Sequence, residues 1–501
     1  MPVAPASADR VRHRAEPSVL TALRTPRLLV REVLAGLVVA VALIPEAISF
    51  SIIAGVDPAV GLFSSFLMAV TIAIVGGRPA MISAATGAVA LVIAPVAREH
   101  GMDYFLATVL LAGLFQIVLA LCGVARLMRF IPRSVMVGFV NALAILILTA
   151  QLAQLLDVPW AVYPPVAVAL AILVLLPRIT TAVPAPLVAI VVLTVAVAAL
   201  SIDVPTVGDQ GELSHSLPSL VVPHVPLTVE TLRIIAPYAL AMALVGLMET
   251  LMTAKLVDEV TDTRSDKTRE SWGQGIANLV SGLFGGMGGC AMIGQTMINV
   301  RVSGARTRIS TFLAGLFLLV LVVVLGDVVG TIPMAVLVAV MVMVCVGTFD
   351  WHSIRPSTLR RMPRSETTVM VATVVVVVAT HNLAIGVVVG VLVACVLFVR
   401  RVAHVVRVER TVDDARRVAR YTVTGELFFA SSNDLTTQFE YATDPDRVVI
   451  DMAAAHVWDA STVAALDAIV TRYERHGTVV ELVGMNEPTT SLHARLSTAA
   501  Q

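Results

Sequence analysis

The chain has 501 residues, 57% of them apolar and 14% charged, with a mean hydropathy of +0.88. No soluble domain of this size buries so much apolar surface, so the composition excludes an ordinary soluble enzyme and predicts a helical membrane protein. Basic and acidic residues balance at 35 each, and all the basic ones are Arg except Lys255 and Lys267. That balance argues against a nucleic-acid partner. Cys122, Cys290, Cys345 and Cys395 sit in apolar stretches without a CxxC pair, so neither a disulfide framework nor a thiolate metal centre is indicated.

Residues 1–30 are rich in Arg and Pro and lack an apolar run, which reads as a cytoplasmic tail and not a signal peptide. From 31 to 402 apolar runs dominate. Polar or Pro/Gly breaks divide them into candidate helices near 32–51, 58–76, 80–97, 103–123, 134–155, 160–177 and 185–201. A second set follows near 232–256, 271–287, 291–300, 309–326, 332–348, 367–380 and 384–400. Fourteen spans with the N-terminus inside place 24 basic residues on the inner side, including Arg78, Arg126, Arg129, Arg133 and Arg178. Only Arg98 and Arg233 fall on the outer side. A wrong span count would mix the two sides.

The segment Ile202–Leu232 carries no Lys or Arg and falls outside, between spans seven and eight. It separates two sets of seven, and an odd number per set forces the halves into opposite orientations. The third span of each half is unusual: Met81-Ile-Ser-Ala-Ala-Thr-Gly87 in the first, Cys290-Ala-Met-Ile-Gly-Gln-Thr296 in the second. Small and hydroxyl or amide residues at these starts predict broken helices. Their N-terminal dipoles and open N–H groups would converge on an anion; close helix packing alone is the competing account.

A carboxylate inside a span costs about 2.5–3.5 kcal/mol on insertion scales and therefore needs a reason. Glu46 and Glu249 lie in the first span of each half, so the repeat places them near each other and near the broken helices. Thr253 follows Glu249 by four residues and shares its helix face. A carboxylate with hydroxyls and carbonyls suits a Na⁺ or a proton site. Glu46 follows Pro45, so capping of a kink is its alternative role. Asn141, Gln151 and Gln154 fit interhelical hydrogen bonding, Met341–Met343 fit packing, and Asp258, Glu259 and Asp262 read as solvated charges.

From 403 to 501 the pattern is that of a small α/β domain. Strands are expected at 418–429, 447–452 and 479–483, with a helix over 462–474, in a sheet of four strands. Asp459 or Ser461 is expected to cap that helix. The histidines of this region are scattered and point to no metal or catalytic triad.

These residues resemble the SulP (sulfate permease) anion transporter family over the whole chain. The matching stretches are Ile44-Pro-Glu-Ala-Ile-Ser-Phe50, Ala54-Gly-Val-Asp-Pro58, Ile82-Ser-Ala-Ala-Thr-Gly87, Gly138-Phe-Val-Asn141 and Glu249–Arg308, and the tail resembles a STAS domain. The resemblance implies an all-α polytopic membrane domain of fourteen segments in two inverted repeats, followed by a small α/β STAS domain. It further implies a core (spans 1–4 and 8–11) that moves against a gate (5–7 and 12–14). By position, Ser83, Thr86, Gly87, Ala291 and Met292 would contact the anion, with Phe50, Glu46 and Gln295 lining the site. Glu249 and Thr253, with Thr86 and Thr296, would hold a coupling ion. Ser461 matches a serine phosphorylated in related STAS domains.

Many members carry Gln at the place of Glu46 and Arg at the place of Gln295. Losing a cation and gaining a carboxylate weakens attraction for a dianion unless a cation enters too. The expectation is therefore a transporter, not an enzyme, which moves sulfate or bicarbonate together with Na⁺ or H⁺ and needs no other cofactor. A homodimer in the plasma membrane, with both termini cytoplasmic and a protein partner for the STAS tail, is also expected. The alternatives are an exchanger or channel on the same scaffold, or a membrane-anchored STAS signalling scaffold.

Overall fold

The computed structural model describes residues 17–127, 131–180, 184–211, 217–226, 228–403, 406–413 and 417–497. Most of the expected N-terminal tail, and Arg129, lie outside these residues. The chain divides into two compact units, 1–391 and 392–501.

The first unit is helical. In chain order it contains α1 (Pro26–Ala54), α2 (Pro58–Val75), the two-residue strand β1 (Ser83–Ala84), α3 (Gly87–His100), α4 (Met102–Leu121), α5 (Arg133–Ala153), α6 (Tyr163–Ile179) and α7 (Ala185–Ala199). The second half repeats the order: α8 (Val229–Thr261), α9 (Lys267–Leu283), β2 (Cys290–Ala291), α10 (Ile293–Met297, continued by a π turn over Ile298–Val302), α11 (Arg308–Gly330), α12 (Met334–Thr348), α13 (Arg364–Thr380) and α14 (Leu383–Ala403), whose residues from 392 onward belong to the second unit. Among the described residues, eight helices are at least 18 residues long and apolar enough to cross a bilayer, with α6 counted together with the 3₁₀ turn before it as Trp160–Ile179. Two shorter apolar helices, Ala185–Ala199 and Met334–Thr348, accompany them.

Local chemistry sets the helix ends. α1 stops where Gly55 turns left-handed at φ 79°, a conformation that costs a residue with a Cβ. Asp57 and Pro58 then start α2, and the Asp266 carboxylate caps α9 by accepting the Arg269 N–H at 2.9 Å. The start of α11 is capped from another helix. The fully buried Glu32 carboxylate on α1 accepts N–H groups of Arg306 (2.8 Å), Thr307 (3.2 Å) and Ser310 (3.3 Å). Those donors and the helix dipole balance a charge that burial alone would make costly.

Packing follows the repeat. α1 packs on α11 as α8 packs on α4; α2 packs on α11 as α9 packs on α4; and α3 meets α8 as α10 meets α1. Adding or subtracting seven converts each contact into its counterpart, which is the signature of two related halves. The α4–α9 crossing is made by Gly113 and Gly275, where a Cβ on either would lie 2.8 or 2.6 Å from the other's carbonyl oxygen. Pairs α5–α13 and α12–α6 build the remaining bundle in the same way.

The second unit contains the four-stranded sheet β3 (Arg407–Asp413), β4 (Val418–Leu427), β5 (Arg447–Val457), β6 (Val479–Val483), hydrogen-bonded in that order. β3–β4 is antiparallel and the other two pairs are parallel. Helices α15 (Ser432–Thr436), α16 (Ala460–Glu474) and α17 (Glu487–Leu496) complete it. Leu466, Ile469 and Tyr473 of α16 are buried with Tyr421 and Ile450 of the sheet. Asp459 caps α16 by accepting the Thr462 N–H at 3.0 Å, so the cap is Asp459 and not Ser461, whose side chain is exposed.

Candidate functional site

The two broken spans meet. β1 and β2 pair antiparallel, with Ser83 opposite Ala291 and Ala84 opposite Cys290. Equivalent segments that pair antiparallel are what a two-fold axis between the halves requires. Gly289 admits this approach, because a Cβ there would overlap the Ala84 carbonyl oxygen. α9 braces the crossing with two amides one turn apart. Gln274 Nε2 and Asn278 Nδ2 both donate to the Gly289 carbonyl at 3.1 Å, and Gln274 Oε1 accepts the Ser83 hydroxyl at 3.0 Å. Neither amide nor Ser83 points to a free ligand contact; together they fix the crossing.

Helices α3 and α10 begin just beyond it, after Thr86 and Met292, and neither start has a side-chain cap. The first-turn N–H groups, of Gly87, Ala88 and Val89 and of Ile293, Gly294 and Gln295, have no carbonyl four residues back within their helices. The two starts differ in access. Gly87 is covered: an added Cβ would lie 2.8 Å from both the Phe50 ring and Ile147. Gly294 faces open space, with nothing within 4 Å of such a Cβ. The N–H groups of Ala291 and Met292, by contrast, donate to Thr250 Oγ1 at 3.2 Å and to the Ile82 carbonyl at 2.9 Å. The two donors expected to contact an anion are therefore already engaged, one by the Thr250 hydroxyl of α8 and the other by the Ile82 carbonyl beside β1.

Two carboxylates border this crossing. Glu46 lies in α1, which continues through Pro45, and its side chain bonds another helix. Its Oε1 accepts Gln295 Nε2 at 2.9 Å. Gln295 is 2% exposed, and its Oε1 is buried without a partner among the described residues. Glu249 on α8 accepts the Cys290 thiol at 2.9 Å, and the Cys290 sulfur lies 3.0 Å from Thr86 Oγ1. A polar chain thus joins the start of α3, through Cys290, to the acid of the eighth helix. The Thr253 hydroxyl donates to the Glu249 carbonyl at 2.8 Å, and Thr296 Oγ1 accepts the Ile82 N–H at 3.0 Å.

Sequence reasoning missed Cys290, which its apolar surroundings disguised, and Thr250. It also misjudged Asp258. That carboxylate is no solvated charge, since it pairs with the buried Arg78 at 3.2 Å and with Lys267 at 2.7 Å. The tie joins the β1 approach to α8 and α9. Asn141 bonds the Asp350 N–H (2.8 Å) and the Ser353 hydroxyl (2.9 Å), as expected of an interhelical group.

A cavity of about 830 Å³ leads towards Ile293, the first residue of α10. Arg126, Arg133, Lys255 and Lys267 line it, opposed by Glu259. Counting basic residues per side revealed their number; only the fold shows that four of them converge. Such a vestibule raises the local concentration of anions.

Residues 29–168 and 162–373 match the sulfate permease family, and residues 409–498 match the STAS domain. The chain is 54% identical over 467 residues to the putative sulfate transporter YbaR of Bacillus subtilis, covering 93% of this chain and 97% of the relative. It is 27% identical to the bicarbonate transporter BicA of Picosynechococcus sp., covering 87% of this chain and 86% of that one. Among solved structures, the transmembrane domain of a cyanobacterial BicA superposes with a TM-score of 0.64 at 27% identity, covering 72% of this chain and 97% of that domain. The murine Solute Carrier 26 family member A9 anion transporter, in its inward-facing state, shares the fold with a TM-score of 0.79 at 17% identity, over 93% and 87% of the two chains. On the extent of the family match and the identity to YbaR, the chain belongs to the sulfate permease family.

Proposed function

We propose that the protein is a secondary active transporter that moves a small inorganic anion of the sulfate or bicarbonate class across the membrane by alternating access. The observation that carries this reading is the meeting of two uncapped helix starts at the end of a basic vestibule, with the buried Glu249 on one side and the part-buried Glu46 on the other. An anion drawn in past Arg133 and Lys255 reaches the open N–H groups of Ile293, Gly294 and Gln295, where the helix start favours negative charge. Ser83 and Gly87 shape the opposite wall, with Phe50 packed over Gly87.

The two carboxylates make the site repel an anion unless a cation accompanies it. Glu249, with Thr86 and Thr253 oxygens close by, is the proposed seat of a transported Na⁺ or H⁺. The core, α1–α4 with α8–α11, would carry this site past the gate formed by the other helices. A homodimer in the plasma membrane with both termini cytoplasmic, a cytoplasmic partner for the STAS tail, and regulatory phosphorylation at the exposed Ser461 complete the reading. The name of YbaR favours sulfate and that of BicA favours bicarbonate.

Purified protein in liposomes, offered sulfate, bicarbonate, chloride and dicarboxylates, tests the proposal. Saturable uptake of one inorganic anion, driven by an inward Na⁺ or H⁺ gradient, is expected. Ohmic currents, or uptake that ignores both gradients, would overturn the coupled mechanism.

A further inference from the structure

The unpartnered oxygen of Gln295 bears on Glu46, and the inference rests on the transport reading of this same site. An ionised carboxylate only accepts hydrogen bonds, so beside it the Gln295 amide must turn its NH₂ towards Glu46, as observed. That orientation leaves Gln295 Oε1 as a buried acceptor with no donor. A carboxylic acid supplies the missing donor. An acid and a primary amide close a ring of two hydrogen bonds, O–H to the amide oxygen and N–H to the acid carbonyl. The pair is therefore complete only when Glu46 carries a proton.

Among the described residues, no charged neighbour offers another way to settle Glu46. α1 packs against the short helix Val19–Arg24, whose Arg24 lies farther from Glu46 along the chain than Arg27, and against α2, α3, α7, α10 with its π turn, α11 and α12. Of these α2, α7 and α10 carry no ionisable side chain. On α3, Arg98, Glu99 and His100 lie in the last turn, with Arg98 donating to the Ile53 carbonyl. Arg301 on the π turn is exposed, Arg308 bonds the carbonyls of Ala73 and Gly76, and Asp327 lies near the other end of α11. Cys345 is the titratable group of α12. On α1 itself, Arg27, Arg31 and Glu32 lie about 20 Å or more along the helix from Glu46. Glu249, across the crossing on α8, is bonded to Cys290.

We propose that Glu46 and Gln295 form a proton-gated receptor for the transported anion. With Glu46 ionised, its charge stands beside the α10 start that Gly294 leaves open, and the anion is repelled. A proton from the compartment the site faces binds Glu46, forms the O–H that completes the pair with Gln295, and removes that charge. Anion and proton leave together on the other side, and no bond besides this O–H forms or breaks. Glu46 is thus a second cation-binding carboxylate, distinct from the Glu249 site, and it sets anion affinity.

The test measures uptake of labelled sulfate, or of labelled bicarbonate at matched bicarbonate concentration, into liposomes over a series of pH values. Above the titration midpoint of Glu46, the wild-type KM should rise about tenfold per pH unit for each proton that binds with the anion. Glu46→Gln should lower that proton count by about one, and sulfate added to the detergent-solubilised wild type in weak buffer should take up a proton. If Glu46→Gln does not assemble, Glu46→Asp, too short to keep the pair, should shift the midpoint of the KM profile. An unchanged proton count in Glu46→Gln, an unmoved midpoint in Glu46→Asp, or anion binding without proton uptake would each overturn the inference while uptake by the wild type left the transport reading standing. Uptake of neither anion by the wild type would remove both.

Discussion

The Cys290 thiol donates to Glu249 Oε2 at 2.9 Å while its sulfur lies 3.0 Å from Thr86 Oγ1, so one buried side chain links the start of α3 to the acid of α8. Cys290 is fully buried, and both its partners, Glu249 and Thr86, are buried as well. Cys290→Ala leaves the carboxylate short of its donor and should destabilise the protein by about 1–3 kcal/mol, the usual cost of an unsatisfied buried group. Cys290→Ser keeps a donor and should restore most of the loss. Thermal unfolding of the purified variants, together with gradient-driven uptake, separates the two. Equal stability of the Ala and Ser variants would show that the thiol is packing alone.

Glu249→Gln removes the charge at the far end of that chain but keeps its shape. The neutral amide still accepts from Cys290, so folding should be preserved. Coupled uptake should fall to background, because the cation seat proposed at Glu249 is lost and Glu46 sets anion affinity only. Full gradient-driven activity in this variant would take Glu249 out of the mechanism.

The crossing of α4 and α9 gives a packing prediction. Gly113 and Gly275 bring the two backbones together, and a side chain at 275 would meet the Gly113 carbonyl and Ile117. Gly275→Leu should cost about 3 kcal/mol or more, because the displaced atoms are mostly backbone and cannot rotate away. The expected readout is loss of the monodisperse peak in detergent, and Gly294→Ala provides the contrast, since open space surrounds Gly294.

Much of this architecture was legible in the sequence, and the reasons differ by feature. Alternating apolar runs and the sidedness of Arg and Lys carry the order of helices, since hydrophobicity and charge are properties of single positions summed over a span. The odd chemistry of Ser83–Thr86 and Cys290–Thr296 marks both broken helices. What the sequence does not show is which donors are already used. Ala291 and Met292 look like free backbone until the Thr250 hydroxyl and the Ile82 carbonyl engage their N–H groups. Asp258 looks solvated until Arg78, 180 residues away in the chain, folds onto it. Strand β3, at the edge of the sheet and largely exposed, has too weak an apolar alternation to be seen.

The basic vestibule should act at long range. Lys255 and Arg133 line the cavity without bonding the crossing, so Lys255→Gln and Arg133→Gln should leave the site intact. Each should raise the anion KM roughly 3–10-fold at low ionic strength, by weakening electrostatic focusing. Added salt screens the same field, so the gap between wild type and variant should close near physiological ionic strength and above. A gap that persists in high salt would mean that these side chains touch the anion directly.

In the STAS unit, Asp444 accepts from Tyr421 (2.6 Å), Tyr473 (2.5 Å) and Arg410 (2.6 Å), with its own side chain fully buried. Burial, followed by the hydrogen bond to Asp444, pushes the phenols of Tyr473 and Tyr421 above the ordinary tyrosine range. An acid whose folded-state value is raised is protonated more strongly in the folded than in the unfolded chain. The stability it contributes is complete below the unfolded value, about pH 10, and is lost as the pH climbs beyond it. The STAS unit should therefore resist unfolding up to about that pH and then weaken, read as the onset of proteolysis within 406–497 of the full-length protein. Tyr473→Phe with Tyr421→Phe should flatten this alkaline loss, although it leaves Asp444 with fewer donors and lowers stability at neutral pH by about 2–4 kcal/mol. Alkaline weakening unchanged in the double variant would show that other groups control it.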